Sequence, residues 1–259
     1  MNELRVTTVQ ADIVWEDKEK NLNYFYSLIS PLKNKSDLVI LPESFSTGFS
    51  MNAVHLAEDI QGKTILTVKK WAKELNLAIC GSFIAQENDL LYNKGFFITP
   101  EGDSYYYNKR HLFRMGEENT IFSMGTSYSV IPYKNWNIRI LICYDLRFPV
   151  WSRNKNNEYD LLIYVANWPK ARAKAWSVLL EARAIENSCY VCGTNRIGMD
   201  GNNIPHQGDS AILDYKGNIL SKSETNQETV STVSIHKEEL ENFRKKFPAW
   251  KDADAFDIL

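Results

Sequence analysis

The chain has no dense block of lysine and arginine, no apolar run of membrane-spanning length, and only four cysteines and four histidines in 259 residues. Each shortage closes a class of function. Thirty basic side chains face 32 acidic ones, for a net charge of −2 and a pI near 6.1. The basic footprint that nucleic-acid binding requires is therefore missing. Tyrosine and tryptophan are numerous but fall inside strand- and helix-like segments, not along a basic groove, which argues against a base-stacking platform. A membrane helix needs about 20 apolar residues, and the opening MNELRVTTVQ runs directly into a strand pattern with no signal-peptide core. Four cysteines are too sparse for a disulfide scaffold. Cys189 and Cys192 form one CxxC with no second pair at zinc spacing, and the histidines form no HExxH. Both cysteines, like Cys80, are read as core packing. There is no GxSxG elbow, Walker loop or GxGxxG. The expectation is a cytoplasmic globular protein with reduced thiols, no metal or other cofactor, and no nucleic-acid or membrane partner.

What is present is an alternation of short apolar runs and amphipathic stretches. Hydrophobic residues make up 44% and charged residues 24%, the balance of an ordinary folded domain. Strands are predicted at 4–10, 37–41, 77–84, 91–99, 105–107, 137–142, 160–165, 190–194 and 210–213, the last joined by the turn YKGN to 219–221. Helices are predicted over 18–32, 64–75 (opened by a Thr64 cap), 172–186 and 236–246. Runs such as VILP and ILIC lack polar alternation, which implies strands covered on both faces. Hairpin and helix connections together imply a mixed sheet in an α/β fold. No repeat or linker interrupts this order, so residues 1–259 are read as one domain, with the tail 236–259 packing on that domain or on a partner subunit.

Three predicted strands run into residues that can do chemistry: DLVILPE into Glu43, SYYYNK into Lys109 and IRILIC into Cys143. A fourth, DLLIYVANWP, ends in Asn167, Trp168 and Pro169. In α/β folds the carboxyl ends of strands converge on ligand crevices. A thiolate is a strong nucleophile, but a free thiol with pKa about 8.5 is mostly protonated at neutral pH. A carboxylate in a partly dry pocket can take that proton as general base. A fixed ammonium, with the backbone N–H of Tyr144 just after the nucleophile, can stabilise the oxyanion that follows. Alone, each residue has a plainer role: a packed cysteine, a loop carboxylate, a surface lysine. Together they make a set able to attack an amide or nitrile carbon through a thioester.

The segments LPESFSTGF, YNKRHLF, ICYDLRFP and ANWP, in this order, resemble those of the nitrilase (carbon–nitrogen hydrolase) superfamily. The resemblance spans roughly 4–234. It implies a four-layer αββα sandwich with mixed sheets, association as a homodimer, and a triad carried over to Glu43 (general base), Lys109 (oxyanion stabiliser) and Cys143 (nucleophile). It also implies a second glutamate between the lysine and the cysteine. Glu117 and Glu118 compete for that place in RMGEEN, and the interval to Gly125 favours Glu118. KRHLFRMGEE, CYDLRFP and NWPKARAKAWSVLLEARAIEN look most like the ω-amidase branch. That branch hydrolyses the terminal amide of 2-oxoglutaramate or 2-oxosuccinamate to the oxo acid and ammonia, so a small-molecule amide is the expected partner. N-carbamoyl amidohydrolases and nitrilases share the triad and form the alternative. A substrate carboxylate calls for a guanidinium, with Arg172, Arg147 and Arg114 as candidates. Trp168 and Phe45, from the same motifs, complete the substrate-binding candidates.

Overall fold

The computed structural model describes residues 2–257 of the chain. In chain order the strands are β1 (Glu3–Gln10), β2 (Leu38–Ile40), β3 (Ala78–Glu87), β4 (Leu90–Ile98), β5 (Ser104–Asn108), β6 (Ile131–Tyr133), β7 (Trp136–Ile142), β8 (Leu161–Ala166), β9 (Tyr190–Asn195), β10 (Ile197–Met199), β11 (Pro205–Gln207), β12 (Ala211–Leu213), β13 (Ile219–Lys222) and β14 (Thr229–His236). The helices are α1 (Lys18–Ile29), α2 (Ala53–Leu56), α3 (Lys63–Leu75), α4 (Glu118–Ile121), α5 (Pro149–Ser152), α6 (Ala173–Asn187) and α7 (Lys237–Lys246).

Two six-stranded mixed sheets carry the fold, ordered β14-β1-β2-β3-β4-β5 and β13-β12-β9-β8-β7-β6. In the first, β1, β2 and β3 run parallel; in the second, β7, β8 and β9 do. The remaining neighbours pair antiparallel. One apolar core joins Leu4, Val6 and Ile40 of the first sheet to Ile140, Ile163 and Cys192 of the second, so the sheets face each other. A second core packs Leu22, Phe25, Ile65, Val68 and Trp71 of α1 and α3 onto the first sheet's outer face. Trp176, Leu180 and Ala184 of α6 cover the second sheet. The result is the expected αββα sandwich, and it explains the unbroken apolar strands: each is buried on both faces. The buried residues of α1 and α3 recur at spacings of three and four, one stripe per helix.

Local differences from the sequence reading have physical causes. Helix α1 ends at Ile29 and tightens into a 3-10 turn, Ser30–Leu32, where Pro31 cannot continue the α-helical bonding. Thr64 does not cap α3. Gly62 holds the capping position, and Glu58 accepts from both Thr64 N (2.7 Å) and Thr64 Oγ1 (3.0 Å). Strand β14 lies outside the predicted set, although its TVSTVSIH alternates half-buried and exposed residues along an edge. Cys189 precedes β9 and Cys192 lies within it, both fully buried and free. Helix α7 docks on its own chain: Arg244 donates to Asp160 Oδ1 (2.9 Å) and the Tyr159 carbonyl (2.7 Å). Further along the tail, Lys155 donates to the Phe256 carbonyl at 2.8 Å.

Candidate active site

The carboxyl ends of β2, β5, β7 and β8 open onto one cavity of about 220 Å³. Glu43, Lys109, Cys143, Tyr144, Asn167 and Trp168 line it. Glu43 sits beyond β2, where the chain turns sharply: Ser44 takes φ +47° and its N–H donates to Ser82 Oγ at 2.8 Å. Lys109 follows β5 directly, and its carbonyl accepts from Gly125 N at 2.8 Å. Only glycine fits there, because a Cβ at Gly125 would stand 2.0 Å from the Asn108 carbonyl oxygen. Cys143 follows β7 at φ +44°, a left-handed conformation that non-glycine residues seldom adopt. Asp145 holds this elbow by accepting from Ile142 N (3.0 Å), the Tyr107 hydroxyl (2.8 Å) and His111 N (3.0 Å). Strain of order 1–3 kcal/mol persists only where such bonds over-determine the backbone.

The polar centre is almost dry. Glu43 and Glu118 are 0% exposed and Lys109 1%. Lys109 Nζ donates to Glu43 Oε1 at 2.9 Å and to Glu118 Oε1 and Oε2 at 3.0 and 2.9 Å. Asn93 Nδ2 bridges the same two carboxylates, at 2.8 Å to Glu43 and 3.2 Å to Glu118. Asn167 N donates to Glu43 Oε2 at 2.7 Å, and Phe113 N to Glu118 Oε2 at 2.6 Å. Glu118 opens α4 inside the site, whereas Glu117 turns outward at φ +58° and is exposed.

Electrostatics follow from burial and company. Burial alone would discharge Lys109, but Glu118 and then Glu43 reverse that and hold its ammonium more tightly than usual. Burial raises the Glu118 carboxyl above the ordinary range, and Glu43 adds to the rise against the pull of Lys109. The Cys143 thiol is pushed well up, first by burial and then by Glu43, while Lys109 pulls the other way. The sulfur therefore keeps its proton at rest, and the Glu43 carboxylate in the same cavity is the base positioned to receive it. The Tyr144 N–H lies in the first turn of the 3-10 segment Cys143–Arg147, where backbone donors have no intrahelical acceptor. Such an arrangement can deliver a thiolate to an electrophilic carbon, accept its proton, and steady a developing oxyanion.

The substrate-side candidates divide. Arg147 and Arg172 line the cavity, and neither forms an ion pair among the described residues. Their guanidinium carbons stand 5.1 and 5.0 Å from the Trp168 and Phe113 ring centroids. Arg114 is exposed and outside the cavity lining. Phe45 is a correction: its ring is fully buried, packed edge-on against Phe25 (5.5 Å) and Phe96 (5.8 Å) in the α1/α3 core, not in the cavity. The phenylalanine of the same motif that lines the cavity is Phe49, 5.1 Å from Lys109 Nζ. Sequence reasoning also passed over Asn93 and His206. Asn93 reads as an ordinary strand residue, and His206 lies in a short hairpin without a motif.

A model of the carbon-nitrogen hydrolase family matches residues 5–245. The chain belongs to that family, within the nitrilase superfamily, and is a hydrolase of carbon–nitrogen bonds other than peptide bonds. It is 41% identical over 257 residues to the omega-amidase YafV of Escherichia coli, covering 98% of each chain. It is 29% identical over 251 residues to the 2-oxoglutaramate amidase of Bacillus subtilis, covering 95% of this chain and 96% of that one. A crystal structure of a CN-hydrolase superfamily protein from Xanthomonas campestris, with an arsenic adduct in its active site, superposes with a TM-score of 0.98. The two are 42% identical, with full coverage of both chains.

Proposed function

We propose that this protein is an ω-amidase, hydrolysing the terminal amide of 2-oxo-dicarboxylate monoamides such as 2-oxoglutaramate and 2-oxosuccinamate to the oxo acid and ammonia. The observation that carries the reading is the pair of guanidiniums, Arg147 and Arg172, which line the cavity that holds Cys143 and form no ion pair among the described residues. A small amide with a carboxylate at its far end satisfies such a group by charge-assisted hydrogen bonding. The similarity to enzymes named omega-amidase and 2-oxoglutaramate amidase points the same way.

In this mechanism Glu43 takes the thiol proton as Cys143 Sγ bonds to the amide carbon, and the carbonyl oxygen becomes an oxyanion facing Lys109 and the Tyr144 N–H. Collapse breaks the C–N bond, with Glu43 returning the proton to the departing nitrogen, and leaves a thioester. Water then attacks, giving a proton to Glu43, and the S–C bond breaks to regenerate the thiol. Glu118 keeps Lys109 charged and aimed. We further propose one catalytic domain, acting in the cytoplasm as a homodimer.

Ammonia release tests the substrate. Turnover of 2-oxoglutaramate and 2-oxosuccinamate, with none of an N-carbamoyl amino acid or a nitrile, is the expected pattern. Its reverse would assign the chain to an N-carbamoyl amidohydrolase or nitrilase.

A further inference from the structure

One histidine stands in the catalytic cavity without a role in the chemistry above. His206, in β11, is only 3% exposed and lines the cavity together with Cys143 and Glu43. The backbone presents it deliberately. Hairpin β10–β11 pairs Gly198 with His206, and Gly198 takes φ +87° with the Asp12 carboxyl packed where a Cβ would go, 2.4 Å away. Arg196, fully buried, anchors the hairpin base by donating to Asp12 Oδ1 (2.5 Å), the Ile13 carbonyl (3.3 Å) and the Met199 carbonyl (3.2 Å). The ring is not firmly held: Nδ1 is buried and, among the described residues, has no partner at hydrogen-bonding geometry.

Resting on the ω-amidase reading, we propose that His206 is a specificity-determining residue that recognises the uncharged 2-oxo carbonyl of the substrate by donating a hydrogen bond to it. The substrate carries two polar groups beyond the scissile amide. The carboxylate suits the free arginines, and a neutral donor suits the neutral ketone. His206 meets that requirement. Burial, and then the charge of Arg196, lower its pKa to about 4, against weaker opposition from Asp200, the Ile204 backbone and Glu43, so the ring is neutral at physiological pH. A neutral ring carries one N–H. Either ring nitrogen can carry it, and a ketone oxygen bound in the cavity favours the tautomer that presents the N–H to it. A site built to hydrogen-bond a substrate group discriminates strongly against the analogue lacking it.

The experiment compares 2-oxoglutaramate with glutaramate, which has a methylene in place of the ketone, for wild type, His206→Phe and His206→Gln. His206→Phe should lose roughly 10- to 100-fold in kcat/KM on 2-oxoglutaramate, mostly through KM, and less than about threefold on glutaramate. His206→Gln keeps a donor and should recover most of the loss. Cys143 alkylation at the wild-type rate in both variants shows that the site is folded. Equal losses on the two substrates, or no loss on either, overturn the assignment of His206 alone. Failure of the wild type to hydrolyse 2-oxoglutaramate while it turns over another amide overturns the ω-amidase reading as well.

Discussion

Lys109 donates to both carboxylate oxygens of Glu118, at 3.0 and 2.9 Å, with both side chains within 1% of complete burial. Two carboxylates and one ammonium share this dry space, so among the described residues one ammonium pairs with two carboxylates. Removing one partner of a buried ionic set costs about 3–5 kcal/mol, because the other charge stays behind unpaired. Lys109→Met should therefore abolish turnover and also lower the unfolding free energy by that order. The sign of its pH dependence is distinctive. Burial and Glu43 already raise the Glu118 carboxyl, and losing Lys109 raises it further. A carboxyl whose native pKa exceeds its unfolded value near 4.3 binds protons preferentially in the native state. The variant should thus gain stability as pH falls from 7 toward 5. Urea unfolding at the two pH values measures it, and a loss over that range would contradict this charge balance.

Glu43 and Glu118 should separate kinetically. Glu43 receives the thiol proton, so Glu43→Gln should cut kcat by roughly 10²–10⁴ in acylation and deacylation alike. Glu118→Gln retains the shape and the bond from Phe113 N, but weakens the hold on Lys109, and the fall should be smaller. Iodoacetamide alkylation of Cys143 reads the difference without turnover: marked slowing in Glu43→Gln, less in Glu118→Gln. Wild-type alkylation rates in both would show that neither carboxylate governs the thiol.

How much of this was legible depends on where the side chain sits. Glu43, Lys109 and Cys143 follow strand ends, where apolar runs break into ionisable residues, and a run can be read one residue at a time. Phe45 and Phe49 share a turn with Ser44 and Gly48 at positive φ, where neither strand nor helix periodicity says which ring faces inward. The turn sent Phe45 into the core and Phe49 to the cavity. Asn93 looks like any strand residue until β4 pairs with β3 and brings it beneath Glu43. His206 depends on a three-residue hairpin strand, too short for any periodic signal.

Cys143→Ala should remove turnover while leaving the thermal midpoint within a few degrees, since the lost sulfur lines a cavity and only its edge packs on the core. Cys80, Cys189 and Cys192 are fully buried, with thiols that burial pushes upward and so renders unreactive. Their alanine variants should keep catalysis and lose about 1 kcal/mol of stability each. A folded Cys192→Ala without activity would place chemistry in the CxxC after all.

Arg147 and Arg172 are predicted to act on the carboxylate end of the substrate. A charge-assisted hydrogen bond contributes about 1.5–3 kcal/mol, so alanine at the engaged arginine should raise KM for 2-oxoglutaramate roughly 10- to 100-fold. A neutral aliphatic amide should be unaffected. Initial-rate measurements on both substrates decide it, and the arginine whose loss is silent on both is the one that serves only to cover Trp168 or Phe113.

His206 gives the molecule a second pH signature, of opposite sign to that of the Lys109 variant. Its native pKa of about 4 lies below the ordinary value near 6.5, chiefly through burial, with the Arg196 charge adding to the shift. Between those values the unfolded chain binds the proton and the native ring refuses it. The stability linked to this group is thus complete above pH 6.5 and is lost as pH falls through that window. The difference in pKa sets an upper bound of about 3 kcal/mol by pH 4. Carboxylates titrate over the same range, so the comparison must be internal. The fall in unfolding free energy from pH 7 to pH 4.5 should be smaller in His206→Phe than in wild type, by about 1–2 kcal/mol. Parallel curves for the two proteins would mean that the native imidazole protonates as freely as in the unfolded chain, and its place as a neutral donor in the cavity would be lost.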